Sequence, residues 1–412
     1  MAPGLLVQVS MLGLVLTAGG ARGAYQAGVL KRISELPYLR ERPQPFEIIA
    51  GASAGAINGT ILAAHSERFG VAASEVARVW GELAVDRVFR TDLAALALGG
   101  ASLLCDFTIG GLLGRTGTYG LLDPSPLEAL LQSALPPNGV RSAIERGELY
   151  AVAVSATSYH SGRSYTFIQG RQGHAIWSKS RRVVLPVTLT HKHILASGAI
   201  PIVFPPVRLD SGSGDRWFGD GGMRLVAPLS PAIRLGARRL LAIGVRSTRA
   251  ASALAQHEAA ADHPLPCPPL AQVCGVFLNA IFLDHLDTDL DHLRRMNELV
   301  AAHNSQGVQE PMRRITPLAV SPSEDLALVA QRFAHRMPRL LRFVLDGLGT
   351  PDAQSADLMS YLLFDSAYTS TLVDIGYRDA DKQIGEIEAL ISGELDREVF
   401  GPPEEPHLLP PH

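Results

Sequence analysis

The chain has 412 residues, 47% of them apolar and 19% charged, a balance that builds a large buried core and excludes extensive disorder. A formal net charge of -3, from 37 basic and 40 acidic side chains, gives no electrostatic footing for nucleic acid as the main partner. Cys105, Cys267 and Cys274 are scattered, odd in number and form no CxxC pair, which suits neither a disulfide framework nor a zinc site; reduced thiols favour the cytoplasm.

The opening stretch, MAPGLLVQVSMLGLVLTAGGARG, imitates an export signal but has no basic segment ahead of its apolar run. A buried strand over Met11 to Thr17 explains it better than a signal peptide. No run reaches the ~20 apolar residues that cross a bilayer, so any contact with a membrane is expected to be peripheral. A glycine turn follows, then helical spacing over Ala24 to Ser34, a second strand at Phe46 to Ala50 and a helix at Ala54 to Ser66. Strand, glycine turn and helix, used twice in succession, predict an α/β fold with a mainly parallel sheet. Residues 91–122 are poor in charge and rich in Leu, Ala and Gly. They read as buried helix, with a lid or docking surface as the functional alternative. Further strands are predicted at Leu149 to Ser155, Tyr165 to Gln169 and Leu240 to Val245. Together these elements make a catalytic core over residues 1–247, followed by an Ala- and Pro-rich linker at 248–272. Residues 273–323, a long helix from Val273 to Asn304 and a strand at Ile315 to Val320, are expected to complete the core. A largely helical region then fills 324–400 and a frayed tail 401–412.

Gly51-Ala52-Ser53-Ala54-Gly55 falls where a buried strand meets a helix. In a nucleophile elbow the flanking glycines permit a tight turn that lifts the serine hydroxyl above the sheet. The positive end of the following helix favours negative charge there by ~0.3–1 kcal/mol. An ordinary glycine turn with a capping serine is the plainer reading, but this is the only such motif in the chain and it lies at a strand-to-helix junction. Gly19-Gly20-Ala21-Arg22-Gly23 opens the first helix, and main-chain amides in such a loop converge on an anion. For acyl transfer that anion is the tetrahedral oxyanion, and losing one donor raises the barrier by ~3 kcal/mol. A dinucleotide loop is excluded because Ala18 stands where its first glycine belongs, and a Walker loop because no Gly-Lys-Ser/Thr follows.

A serine nucleophile needs a base, and none of the 13 histidines is obviously placed for it. His191 and His193 fall at a predicted helix start. His285, Asp289 and His292 share helical spacing that a metal would accept, though a solvated helix face explains them more simply. Asp220, in Trp217-Phe218-Gly219-Asp220-Gly221-Gly222, is the better base. Behind two aromatics and between glycines it can occupy a dry turn, and burial raises a carboxylate's pKa above ~3.9. A plain Asp-Gly turn is the alternative.

In order, TAGGARGAYQAGVL, GASAG, ASGAIPIVFPPV and DGG resemble the blocks of the patatin-like phospholipase family, over Met11 to Val245. The resemblance implies a three-layer α/β/α architecture and a Ser-Asp dyad on Ser53 and Asp220. It places Gly51, Gly55, Gly221 and Gly222 in the motifs and forms an oxyanion site from Gly19, Gly20, Ala21, Arg22 and Gly23. It also implies a phospholipid or other acyl-ester substrate, no metal and no cofactor, with Ala196 to Pro206 forming a wall of the site. Ala18 departs from the family, which usually has a third glycine there. Arg22 has two roles open to it, neutralising a lipid phosphate or bracing the loop, and its five donors favour bracing. Other functions left open are a general esterase, thioesterase or transacylase on the same dyad, an α/β-hydrolase with a Ser-His-Asp triad, and an inactive lipid-binding module. Oligomeric state is not legible.

Overall fold

The computed structural model describes residues 10–90, 120–179, 181–212, 214–247, 270–282, 285–304, 313–338, 342 and 356–395. Most of the 91–122 segment and of the 248–272 linker, and the whole 401–412 tail, lie outside the described residues. So do Cys105, Cys267 and the side chain of Cys274.

The strands are β1 (Leu12–Leu16), β2 (Ile48–Ala52), β3 (Ala151–Ser158), β4 (Ser164–Gly170), β5 (Ser178–Lys179), β6 (Arg182–Pro186), β7 (Val207–Asp210), β8 (Asp215–Gly219), β9 (Arg239–Ile243) and β10 (Thr316–Val320). Among the described residues they make one ten-stranded sheet in the order β10-β9-β1-β2-β3-β4-β6-β5, with β8 joining β3 and β7 joining β8. Pairing is parallel from β10 through β3 and turns antiparallel at β3–β4 and β3–β8. Every residue of β1 and β2 is buried, as expected of central parallel strands covered on both faces.

The helices that shape the site are α1 (Ala24–Ser34), α2 (Ala54–Ala64), α3 (Phe69–Gly81), α4 (Ser125–Ala134), α5 (His191–Ser197), α6 (Leu270–Phe282), α7 (His285–Asn304), α8 (Ala356–Leu362) and α9 (Ser366–Lys382). A mostly parallel central sheet with flanking helices and a helical C-terminal region is therefore the fold, as the sequence predicts. Two local expectations shift. The second strand runs two residues later than expected, because its pairing with β1 continues through Leu16 and Gly51 to the elbow. Phe46 instead leaves the strand and packs edge-on against Phe69, with ring centroids 6.0 Å apart. The single long helix expected over Val273 to Asn304 is described as α6 and α7, separated by residues 283–284, which lie outside the description.

The C-terminal helices are part of the core. α9 lies against α1 where two glycines meet the facing backbone: a side chain on Gly28 would strike the Val373 carbonyl, and one on Gly376 the Tyr25 carbonyl. Tyr25 and Tyr368 are fully buried near this crossing. No helix among the described residues is long and apolar enough to cross a membrane.

Gly28→Ala is expected to force the crossing apart and to cost about 1–3 kcal/mol, the range for overpacking a tight interface. Chemical denaturation of the full chain checks this, and an unchanged midpoint would mean that the two backbones are not in contact.

Candidate active site

Three main-chain turns meet at the C-terminal ends of neighbouring strands. β1 ends in the glycine loop, a short 3-10 turn over Gly20–Gly23 that leads into α1. β2, its sheet neighbour, ends at Ser53, and β8, paired to the end of β3, ends at Asp220. In-register pairing of adjacent strands thus joins segments that are far apart in the chain.

Ser53 has φ 53° and ψ -125°, a left-handed conformation that few non-glycine residues adopt. Its neighbours explain how it is held. A side chain on Gly51 would strike the Gly55 backbone, and one on Gly55 the Leu16 carbonyl, so the elbow is packed against β1 with no space left. The Ser53 amide donates to Ser197 Oγ at 2.9 Å, and Ser197 Oγ donates to the Ser155 carbonyl at 2.6 Å. The Gly221 amide donates to the Ser197 carbonyl at 3.0 Å, so this one residue ties the elbow, β3 and the aspartate turn together.

Asp220 is completely buried. Its amide donates to the Ala199 carbonyl at 2.9 Å, its carbonyl accepts from Thr157 Oγ1 at 2.8 Å, and Oδ1 accepts from the Gly222 amide at 2.7 Å. The second carboxylate oxygen, Oδ2, is buried without a hydrogen-bond partner. Burial pushes the carboxyl up to about 7, against smaller opposing effects from the Ser53 hydroxyl and the Gly222 amide. The serine is near enough to stabilise the charge, yet the orphaned Oδ2 shows that no well-formed hydrogen bond joins them. Burial, with the Asp220 charge, pushes the Tyr159 hydroxyl up to about 12.

The glycine loop is held by residues that sequence spacing did not single out. Asn58, buried in α2, donates Nδ2 to the Gly23 carbonyl at 2.9 Å and to Gln26 Oε1 at 3.0 Å, and accepts from Trp80 Nε1 at 2.6 Å. The available signal was a lone amide inside the apolar run of α2. The Arg22 amide donates to the Gly19 carbonyl at 3.1 Å. Its side chain points into the protein, so bracing describes it and a surface phosphate site does not.

The profile of the patatin-like phospholipase family matches residues 14–233, more than half of the chain. The chain belongs to this family. No curated protein matches the chain. Among solved structures, human GIVD cytosolic phospholipase A2 bound to methyl gamma-linolenyl fluorophosphonate is similar at 13% identity and TM-score 0.42, over 95% of this chain and 60% of that one. VipD from Legionella pneumophila is similar at 13% identity and TM-score 0.33, over 89% and 67%. ExoU of Pseudomonas aeruginosa, in complex with SpcU, is similar at 14% identity and TM-score 0.25, over 88% and 70%.

In this family member an apolar cavity opens beside Ser53, between Trp80, Leu130 and Leu131 of the covering helices and Ile200, Phe204 and Phe364. Its volume is about 40 Å³, room for a few water molecules. Gly198, Ile200 and Phe204 come from the segment expected to form a wall of the site. Among the described residues no histidine lines the cavity. His193 packs edge-on against Phe167 at 4.9 Å, and burial lowers its pKa to about 4. Asp289 does not sit on a solvated face as expected: it is half-buried and Oδ2 accepts from the Leu229 amide at 2.9 Å. Among the described residues no cluster of three or more His, Cys, Asp or Glu side chains could hold a metal.

The Asp220 shift fixes a sign for stability. The folded protein keeps the proton up to about 7, while the unfolded chain releases it near 3.8, so this group's contribution falls as pH rises through that window. Asp220→Asn is expected to melt above wild type at about pH 8 and close to wild type at about pH 4. Equal melting temperatures at both pH values would show that the carboxylate is not held in a dry site.

Proposed function

We propose that the chain is a serine acyl hydrolase of the phospholipase A or lysophospholipase type, with Ser53 as nucleophile and Asp220 as its base. The observation that carries the reading is the buried, unpartnered Oδ2 of Asp220 beside the Ser53 hydroxyl. A carboxylate with a pKa near the working pH holds a transferred proton long enough to return it, which an ordinary aspartate does poorly.

Asp220 takes the Ser53 proton as the hydroxyl oxygen attacks the ester carbonyl, giving a tetrahedral oxyanion. The Ser53 and Arg22 amides are committed to Ser197 Oγ and the Gly19 carbonyl. We therefore assign the oxyanion contacts to the amides of Gly20, Ala21 and Ala54; Gly20 and Ala54 both line the cavity. The C–O bond breaks, the leaving alcohol takes the proton from Asp220, and the acyl group stays on Ser53. Water then gives a proton to Asp220 and attacks the acyl carbon; the acyl C–O bond to Ser53 breaks as Asp220 returns that proton to Ser53 Oγ, and the fatty acid leaves. An alcohol in place of water would make the same site a transacylase.

The apolar cavity is the acyl subsite in this reading. At about 40 Å³ it does not hold a fatty chain as it stands, so chain entry displaces side chains of the apolar wall. The polar groups at Ser53 and Asp220 need not move for this.

A fluorophosphonate probe is expected to label Ser53 alone, with Ser53→Ala abolishing both labelling and ester hydrolysis and no single histidine replacement doing so. Labelling elsewhere, or an indispensable histidine, would overturn the dyad. Leu130 is half-buried at the cavity edge. Leu130→Trp should cut turnover of long-chain nitrophenyl esters about tenfold or more while sparing the acetate, a discrimination of roughly 1–3 kcal/mol in an apolar pocket. Equal losses on both esters would place the acyl chain elsewhere.

A further inference from the structure

Arg22 sits in the middle of the glycine loop, yet the groups that hold its side chain come from the far end of the chain. Nε donates to Ser360 Oγ at 2.7 Å, and one terminal nitrogen donates to Asp357 Oδ1 at 2.8 Å. The guanidinium carbon lies 4.7 Å from the centre of the Tyr361 ring. Ser360 Oγ donates in turn to the Asp357 carbonyl at 2.6 Å, which fixes its lone pairs toward Arg22. All three residues belong to α8, which lies beyond the 14–233 span that matches the family.

The contact is enclosed on its arginine side, while the Asp357 side chain is 36% exposed. The Arg22 side chain is 4% exposed, and the Tyr361 carbonyl occupies the space a side chain on residue 20 would need. α8 is itself backed by α6, through a hydrogen bond from the Tyr361 hydroxyl to Asn279 Oδ1 at 3.2 Å and close packing of Gly275 on Asp357. Phe364, just after α8, lines the cavity next to Ser53. One short helix therefore touches both the anion loop and the acyl wall.

We propose that α8 is the positioning element of the glycine loop. Asp357 and Ser360 fix Arg22, and through it the Gly20 and Ala21 amides, in register with the oxyanion formed at Ser53. This rests on the hydrolase reading above. A buried guanidinium held in a fork at two points transmits the position of α8 rigidly, because both hydrogen bonds involve a charged donor with fixed geometry. Asp357 and Ser360 are positioning residues; neither touches the reacting atoms.

The test uses full-length protein and a water-soluble short-chain ester. Asp357→Ala is expected to lower kcat about 10- to 100-fold, part of the loss from removing an oxyanion donor, with KM within about twofold of wild type. The ascending pH limb set by Asp220, near about 7, should stay in place because the base is untouched. Asp357→Glu should recover part of the rate. The double variant Arg22→Ala with Asp357→Ala should be no slower than Arg22→Ala alone, since both break one link. The melting temperature is followed alongside, because Arg22→Ala removes a buried side chain. Wild-type kcat in both Asp357→Ala and Ser360→Ala would overturn the proposal, as would a rate loss matching only a loss of folded protein, or additive effects in the double variant. If the wild-type chain neither hydrolyses esters nor takes the fluorophosphonate, the hydrolase reading fails; an active wild type with indifferent Asp357 variants sinks the α8 proposal alone.

Discussion

A carboxylate sealed from solvent, with one oxygen left without a partner, is the constraint around which this site is built. Burying such a group is costly, and most proteins give it a full set of hydrogen bonds. Here Asp220 receives one, from the Gly222 amide to Oδ1, while Oδ2 has none and the Ser53 hydroxyl lies near the carboxyl. The fold sustains that deficit because the surrounding main chain is fully engaged: the amide and carbonyl of residue 220 are bonded to Ala199 and Thr157. A carboxyl poised near neutrality is the chemical result.

Strain and rigidity are distributed unevenly. Ser53 stays at positive φ because Ser197 and the packed glycines on either side leave it no relaxed alternative. The polar machinery is thereby fixed before any substrate arrives, as electrostatic stabilisation of a transition state requires. Beside Ser53 the cavity is lined by Leu, Ile, Phe and Trp side chains.

How much of this could be read beforehand follows from how local each cause is. The elbow at Ser53 and the glycine loop are turns whose requirements are met within a few residues, so spacing alone located them. The boundaries of α1 were equally legible, since a glycine turn precedes the helix and apolar spacing runs to Ser34. Asp220 was found from its glycine bracket and the aromatics before it. What escaped was long-range. Ser197 is an ordinary serine until it lies between two segments more than a hundred residues apart in the chain. The late start of β2 depends on register with β1. The grip of Asp357 and Ser360 on Arg22 links positions more than 330 residues apart, which no local pattern encodes. Asp289 failed for the same reason: helical spacing says which residues share a face, not which face the protein covers.

The central claim is a protonation state, and it can be observed directly. Isotope-edited infrared spectra of protein carrying carboxyl-labelled aspartate, subtracted from those of Asp220→Asn, isolate the carbonyl band of this one side chain across a pH series. The account predicts a protonated carboxyl at mildly acidic pH that ionises near about 7 and titrates later still in Ser53→Ala, where the stabilising hydroxyl is gone. A residue 220 already ionised at about pH 5, with no dependence on the serine, would contradict it.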